Sequence, residues 1–283
     1  MEKASSRYEN LYQCIRQTAL GDPYKAADET YYKILVPEKN SKGKGVRKGY
    51  LWVVVGINTR MIYLLYDDGS RSEKVILNEL GGCKGIIQSD GYSPYRKLES
   101  DAYPHITRIP CLQHIKRKFI DCGEDEPDAK RIVELINTLY QNEHKHKIGV
   151  DGWTVEQNLV HRKKYAPDIL GEIKDVLDDI EERGDLLPKS ELKEAVTYLR
   201  NEWNAVVDIF NYGDTYLDNN IVERMNRYIS LSRKNSLFFG SHKGAERGAI
   251  LYTIALTCRM NKVNLFEYLT DVINRTAAWL PNT

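Results

Sequence analysis

The sequence lacks any long apolar segment. No run of hydrophobic residues approaches the ~18 that a membrane-spanning helix requires. The opening stretch, MEKASSRYENLYQ, is polar and of mixed charge, which is unlike a secretory signal peptide. We therefore expect a cytoplasmic chain without membrane segments. With 42% hydrophobic and 29% charged residues in 283, the composition is that of one large globular domain, or of a domain with an inserted subdomain.

Cysteine is also scarce. The five cysteines are scattered, contain no CxxC pair and are odd in number, so they do not suit a disulfide framework and are expected to be reduced. Cys111 and His114 are close enough in sequence to share a zinc ion, but two further ligands are not evident. The sequence therefore does not favour a zinc site.

The chain has almost no net charge, +1, which by itself argues against a dedicated nucleic-acid binder. The average hides a segregation of charge. Residues 38–48 hold five basic residues against one acidic, residues 216–247 hold six against three, and residues 169–194 hold nine acidic against four basic. Basic patches on a nearly neutral chain fit a surface that meets phosphate on one side, although ordinary solvated faces would give the same pattern.

The first half of the chain is rich in strand patterns. Runs of β-branched and aromatic residues predict five strands: YKAADETYYKILV, YLWVVVGIN, MIYLLYDD, GIIQSDGY and HITRIPCL. Thr59 and Arg60 lie between the second and third runs, which predicts a hairpin there. The segment SEKVILNEL predicts a helix before the fourth strand, and QHIKRKFI predicts another after the fifth. This element order is that of an RNase H-like sheet, although other α/β folds begin in the same way.

From about residue 124 to residue 214 the pattern changes to amphipathic helix. Three apolar stripes at helical spacing predict three helices that bury their stripes together; the third includes Trp203 and Val207. Pro188 and Ser190 mark the start of that third helix, and Asp218 is a suitable N-cap for a following helix. A last amphipathic helix, NLFEYLTDVINRTAAWL, is predicted to turn its apolar side inward, including Leu265, Leu269, Val272, Ile273, Thr276 and Leu280.

The predicted fold is α/β: an RNase H-like mixed sheet with a helical insertion and C-terminal helices. We expect residues 1–123 to form the first part of this core with strands 1–5. Residues 124–214 are expected to form the helical insertion. Residues 215–283 then return to the core with the helix of Glu223 and the C-terminal helices.

One acidic residue stands out in this pattern. Asp28 lies in the first strand beside Ala26 and Ala27, where a carboxylate is costly unless it is paired or binds a metal. The adjacent Glu29 points to the opposite face and is expected to be solvated. Asp90 ends the fourth strand, which lies beside the first in an RNase H-like sheet, yet Asp90-Gly91 taken alone favours an ordinary turn.

The third carboxylate, Glu223, lies one turn into its helix. It could pack across the same sheet edge, or it could be a first-turn glutamate favoured by the helix dipole. Carboxylates that converge at the end of a sheet are what two-metal phosphodiester cleavage requires. From residue patterns alone, the trio remains one choice among 40 acidic residues.

A set of ordered motifs makes the chain resemble a known family. The segments ADET, GYLWVVVG, QSDGYSPY, CLQHIKRKF, LDNNIVERMNR, SRKNSLFFGS and GAERGAILYTI occur in this order. Together they resemble the transposases of the insertion sequence 66 family, over nearly the whole chain. DNNxxER followed by RKNxLFxGS is the most specific element.

The resemblance implies an RNase H-like DDE transposase that binds two Mg²⁺ ions, with Mn²⁺ as a substitute. Its motifs assign the catalytic and metal-binding carboxylates to Asp28, Asp90 and Glu223. His114 matches a histidine after the fifth strand that could contact the scissile phosphate or the metal-bound water, although a structural histidine fits at least as well. The implied DNA contacts are His114, Arg224, Arg227, Arg233 and Lys234. Asn219 and Asn220 are expected to cap and orient the helix of the glutamate.

The implied partners are DNA, as element ends and target, and further copies of the chain assembled on it. Other transposition proteins of the same element are further candidates. The chain departs from the family where Tyr31 replaces a common proline and Leu112 a common tryptophan. Only 27 residues precede Asp28, without the family's helix-turn-helix or cysteine-rich segment. Two rival interpretations therefore stay open: an RNase H-like nuclease without strand transfer, and a truncated, non-catalytic remnant that regulates full-length transposase.

Overall fold

The fold is built on one five-stranded sheet. The computed structural model describes residues 8–39, 43, 45–184 and 186–279, and the side chains of residues 276–279 are outside that description. The strands are β1 (Tyr24–Leu35), β2 (Val46–Gly56), β3 (Met61–Leu65), β4 (Gly85–Ser89) and β5 (Ile106–Pro110). They lie in the order β3-β2-β1-β4-β5. All five predicted strands and the predicted neighbours β1 and β4 are therefore confirmed.

The long strands β1 and β2 are antiparallel, with Asp28 opposite Val53, and β2 forms the predicted hairpin with β3. Arg60, in the turn, has a φ of 55°, the left-handed conformation that a tight turn demands. Every residue from Leu51 to Gly56 is buried, because both faces of the central strands are covered.

Helices make up most of the remaining chain. They are α1 (Glu9–Leu20), α2 (Glu73–Leu80), α3 (Ser93–Arg96), α4 (Leu112–Ile120), α5 (Pro127–Glu143), α6 (Val155–Arg183), α7 (Glu191–Ile209), α8 (Asn220–Ser232), α9 (His242–Met260) and α10 (Leu265–Trp279), with a 3-10 turn at Lys97–Glu99. The chain thus has the predicted α/β fold, an RNase H-like mixed sheet with a helical insertion and C-terminal helices. No helix in the described ranges is both long and apolar enough to cross a membrane.

The chain divides into two compact units. The first comprises Met1–Ile87, Ser93–Thr107 and Asn220–Thr283, and the second comprises Gln88–Tyr92 and Arg108–Asn219. In the first unit, α8 buries Val222, Met225 and Ile229 in a core cluster with β1, β2 and β3. These residues recur every three or four positions, so one face of α8 lies on the sheet. This packing fixes the helix that carries Glu223 over the strand that carries Asp28.

The second unit is mainly helical. The apolar stripes of α5, α6 and α7 are buried, and the Ser190 hydroxyl accepts a hydrogen bond from the Lys193 backbone N–H as an N-cap, 3.2 Å away. Two residues depart from the predicted third stripe: Trp203 is only half-buried and Val207 is exposed. Instead Glu202 is buried, 1% exposed, because it pairs with a buried arginine.

Three further features of the structure differ from the sequence analysis. The helix α1 has no counterpart among the predicted elements, although it buries Tyr12, Ile15 and Ala19. The Glu29 side chain is 4% exposed rather than solvated, because Arg71 and the Tyr95 hydroxyl hold its carboxylate.

The predicted inner face of α10 is the third correction. No side chain of residues 265–275 is buried, and Leu265 and Ile273 are exposed. Leu280, predicted for the same face, lies outside the described residues.

Candidate functional site

Asp28 lies where β1 passes from buried to half-buried residues. Residues 24–27 are buried and Asp28 is half-buried. One carboxylate oxygen, Oδ1, accepts a hydrogen bond from the backbone N–H of Glu29 at 2.8 Å, and Oδ2 accepts one from the Asn226 side-chain amide at 2.6 Å. These bonds offset part of the cost of holding a charge in a sheet and fix the direction of the carboxylate.

The partner amide comes from α8, the helix of Glu223. Glu223 is half-buried in its first turn, and Asn226 follows three residues later, so the two side chains share a helix face. Since Asn226 touches Asp28, this face of α8 is directed at β1. The helix begins at Asn220, two residues after Asp218.

Asn226 has a second feature of interest. Its side-chain oxygen Oδ1 is buried and has no hydrogen-bond partner within the part of the chain that the structure describes. Buried polar atoms are almost always satisfied, so such an atom calls for a ligand. An amide oxygen on the side chain that contacts the Asp28 carboxylate adds an oxygen donor of the kind that Mg²⁺ and Mn²⁺ prefer. The residues of the first unit therefore fit a hard divalent cation.

Sequence patterns did not identify Asn226. The usable signal was its spacing, because a residue three positions after a candidate ligand on a helix lies on the same face.

Asp90, in the second unit, directly follows β4 and is half-buried. Its Oδ1 accepts a hydrogen bond from the backbone N–H of Tyr92 at 3.1 Å, which closes an Asx turn. The turn predicted at Asp90-Gly91 is therefore confirmed, and it directly follows the strand beside β1.

His114 also belongs to the second unit, in the first turn of α4, where it is half-buried. Its backbone N–H donates to the Cys111 carbonyl at 3.1 Å, and the Cys111 thiol accepts from the Asn219 backbone N–H at 3.2 Å. The sulfur of Cys111 is therefore engaged in holding the segment before α8.

The basic residues proposed to meet DNA differ in their surroundings. Arg224, Arg227 and Lys234 are exposed. Arg233 is half-buried, with its guanidinium carbon 4.2 Å from the centroid of the Tyr31 ring, and it donates a hydrogen bond to the Tyr31 carbonyl at 2.5 Å. The first three side chains are open to solvent, whereas Arg233 is positioned by the strand that carries Asp28.

These features define a class before they define a family. The class is that of RNase H-like α/β proteins, with one mixed five-stranded sheet and helices. Residues 1–247 match the family described as "Transposase IS66 family". This match covers most of the chain, so the chain belongs to the IS66 family of transposases.

Three relatives come from Sinorhizobium fredii (strain NBRC 101917 / NGR234). "Uncharacterized protein y4qI" is 29% identical over 270 residues, which are 90% of this chain and 48% of that protein. "Uncharacterized protein y4jD" is 29% identical over 213 residues, 73% of this chain and 40% of that protein. "Uncharacterized protein y4hP" is 28% identical over 231 residues, 76% of this chain and 41% of that protein. The chain thus spans less than half the length of these relatives.

Proposed function

We propose that this chain carries the catalytic centre of a DDE-type transposase, in which Asp28, Asp90 and Glu223 hold two Mg²⁺ ions for DNA cleavage and strand transfer. The observation that carries the proposal is the contact between Asp28 and Asn226. It brings a strand carboxylate and the glutamate helix together beside an unsatisfied amide oxygen. Membership of the IS66 family and the position of β4 beside β1 support the inclusion of Asp90.

The ions, when bound, would supply Lewis acidity to the attacking and leaving oxygens of an in-line displacement. The protein's part is to hold and orient. Asn226 fixes the Asp28 carboxylate, and the packing of α8 fixes Glu223. Arg224, Arg227 and Lys234, which are exposed on and after the same helix, would bind backbone phosphates.

The proposed chemistry has two steps at one site. In the first, water attacks a phosphorus at the element's end and the 3′ oxygen leaves as a hydroxyl. In the second, that hydroxyl attacks a target phosphodiester and displaces its 3′ oxygen, so one bond forms for each that breaks. Two element ends must be held together for this, which makes an oligomer on DNA part of the proposal.

The test is a cleavage and joining assay on DNA that carries the element's ends, with Mg²⁺ or Mn²⁺. We expect Asp28→Asn, Asp90→Asn and Glu223→Gln each to abolish both products. Asp68→Asn is the matched control, because its side chain is 83% exposed and it belongs to none of the proposed ligands. Full activity in any of the three ligand variants would refute the assignment.

The same assay separates the rival functions. Cleavage without joined products would identify a nuclease rather than a transposase. Specific DNA binding with no cleavage under either cation would favour the non-catalytic regulator, and the Asp68→Asn control would then behave like the other variants.

A further inference from the structure

The backbone around Asp90 is held from two sides. The peptide that joins Asp90 to Gly91 has one carbonyl and one N–H, and both are hydrogen-bonded to side chains of the second unit. The carbonyl accepts from the Arg108 guanidinium at 2.8 Å, and the N–H donates to the Tyr198 hydroxyl at 2.8 Å. A peptide plane held at both poles cannot rotate without breaking one of these bonds.

Arg108 is itself held by a buried ion pair. Its guanidinium is 2.5 Å from a carboxylate oxygen of Glu202, and the two side chains are 0% and 1% exposed. The same guanidinium donates to the Ser89 hydroxyl at 3.1 Å. Three partners therefore define the orientation of the planar fork, which makes Arg108 a rigid support for the strand end that precedes Asp90.

Tyr198 lies four residues before Glu202 on α7, so both side chains leave the same face of that helix. Burial raises the pKa of the Tyr198 hydroxyl, and the carboxylates of Glu202 and Asp90 raise it further. The hydroxyl thus stays neutral and accepts the Gly91 N–H. A Cβ at Gly91 would lie only 2.4 Å from this hydroxyl oxygen, so the close approach requires glycine.

We propose that Tyr198, together with the Arg108–Glu202 pair, positions the Asp90 carboxylate for a divalent cation. This inference rests on the proposed function, because it takes Asp90 to be a metal ligand. The groups act through the peptide that follows the Asp90 Cα, and residues that orient metal ligands in this way commonly change metal affinity 10–100-fold.

The experiment compares two tyrosines that each lose one hydroxyl. Tyr198→Phe removes the acceptor of the Gly91 N–H. Tyr165→Phe is the matched control, because Tyr165 is also half-buried in the second unit. Its hydroxyl donates to Glu143 at 2.9 Å and not to the peptide that follows Asp90. The readout is the Mn²⁺ dissociation constant of the full chain, measured by titration of the free Mn²⁺ paramagnetic resonance signal without DNA.

We expect Tyr198→Phe to raise the Mn²⁺ dissociation constant about 10-fold, and Tyr165→Phe to leave it unchanged, since only the former touches the Asp90 peptide. Urea unfolding of both variants, compared with the wild type, is the check that each remains folded. Asp90→Asn is measured alongside them and should weaken Mn²⁺ binding at least as much as Tyr198→Phe does.

The outcomes separate the two proposals. If Asp90→Asn weakens Mn²⁺ binding but Tyr198→Phe matches Tyr165→Phe, the positioning role is wrong and the metal site stands. If Asp90→Asn itself leaves the affinity unchanged, the proposed metal site fails, and the positioning role fails with it. Arg108→Lys provides a second variant, since it keeps the charge beside Glu202 but loses the fork, and a wild-type Mn²⁺ affinity in it would also contradict the proposal.

Discussion

The buried pair of Arg108 and Glu202 gives the sharpest stability prediction. Replacing Glu202 by leucine leaves a guanidinium that is 0% exposed without its counter-charge. Ser89 and the Asp90 carbonyl remain as neutral acceptors, and they do not compensate a full charge. Breaking one side of a buried pair typically costs 3–5 kcal/mol, so we expect a loss of about 4 kcal/mol in the free energy of unfolding. Arg108→Met should cost about as much, because it leaves the carboxylate buried instead.

The double variant Arg108→Met/Glu202→Leu should behave differently. It removes both charges and replaces them with apolar groups of similar volume, which is often nearly neutral. What remains is the loss of the two hydrogen bonds from Arg108 to Ser89 and to the Asp90 carbonyl, at about 1 kcal/mol each. We therefore expect the double variant to lie about 2 kcal/mol below the wild type, far less than the sum of the single losses.

Urea unfolding of the four proteins, followed by far-ultraviolet circular dichroism, measures this cycle. If the double variant lost as much as the two single variants together, the reasoning from a desolvated pair would be refuted. A Mn²⁺ titration of the double variant then distinguishes stability from positioning. Its fold should be largely recovered while its Mn²⁺ affinity stays low, because the charged Arg108 donor to the Asp90 carbonyl is absent and the Ser89 hydroxyl, 3.0 Å away, is a neutral donor.

Three other predictions concern acid stability, backbone strain and DNA affinity. Although burial pushes the pKa of Glu143 upward, its arginine partner and neighbouring donors hold it below the ordinary value. The ionised Glu143 carboxylate should thus stabilise the folded state fully above about pH 4.3, and this stabilisation should be lost as the pH falls. In urea titrations, the free energy of unfolding of Glu143→Gln should therefore decrease less at acid pH than that of the wild type. Gly85→Ala should cost at least about 2 kcal/mol in the same assay, because its φ is +89° and a Cβ would lie 2.2 Å from the Pro23 carbonyl, whereas Gly82→Ala, in open space, should cost little. Lys234→Ala should weaken binding to all DNA sequences alike and reduce the slope of log affinity against log salt by about 0.9, and an unchanged slope would remove Lys234 from the phosphate contacts.

The sheet could be predicted because its information is local. Each of the five strands is a continuous β-branched or aromatic run, and Asp90-Gly91 closes the fourth with an ordinary turn pattern. The burial of Glu29 was predicted wrongly because it depends on residues that are distant in the sequence. Glu29 was expected to be solvated from strand alternation alone, and nothing in the neighbouring sequence shows that Arg71 and Tyr95 cover it.

The sequence analysis missed the helix α1 and predicted the wrong burial for the helix α10, and the two errors have opposite reasons. The helix α1 has only three buried positions, so its weak stripe was lost in a polar segment. The helix α10 has a regular apolar stripe, yet no side chain of residues 265–275 is buried. Periodicity predicts that a helix forms, but burial of its stripe depends on the surface available to it.

The sequence analysis did not identify Arg108 and Glu202, which hold the backbone at Asp90, as residues of the site. Arg108 and Glu202 belong to elements that were predicted correctly, and each occupies a position that the element buries. Glu202 follows Leu199 by three residues and so lies on the apolar stripe of α7, while Arg108 lies in β5 directly before the buried Ile109. A charge at a buried position is costly unless an opposite charge meets it. An arginine on a core strand and a glutamate on a core stripe therefore predict each other, even when 94 residues separate them. In other sequences, oppositely charged residues at positions that the pattern predicts to be buried can be considered as ion pairs. Residues next to such a pair are then candidates for a functional site.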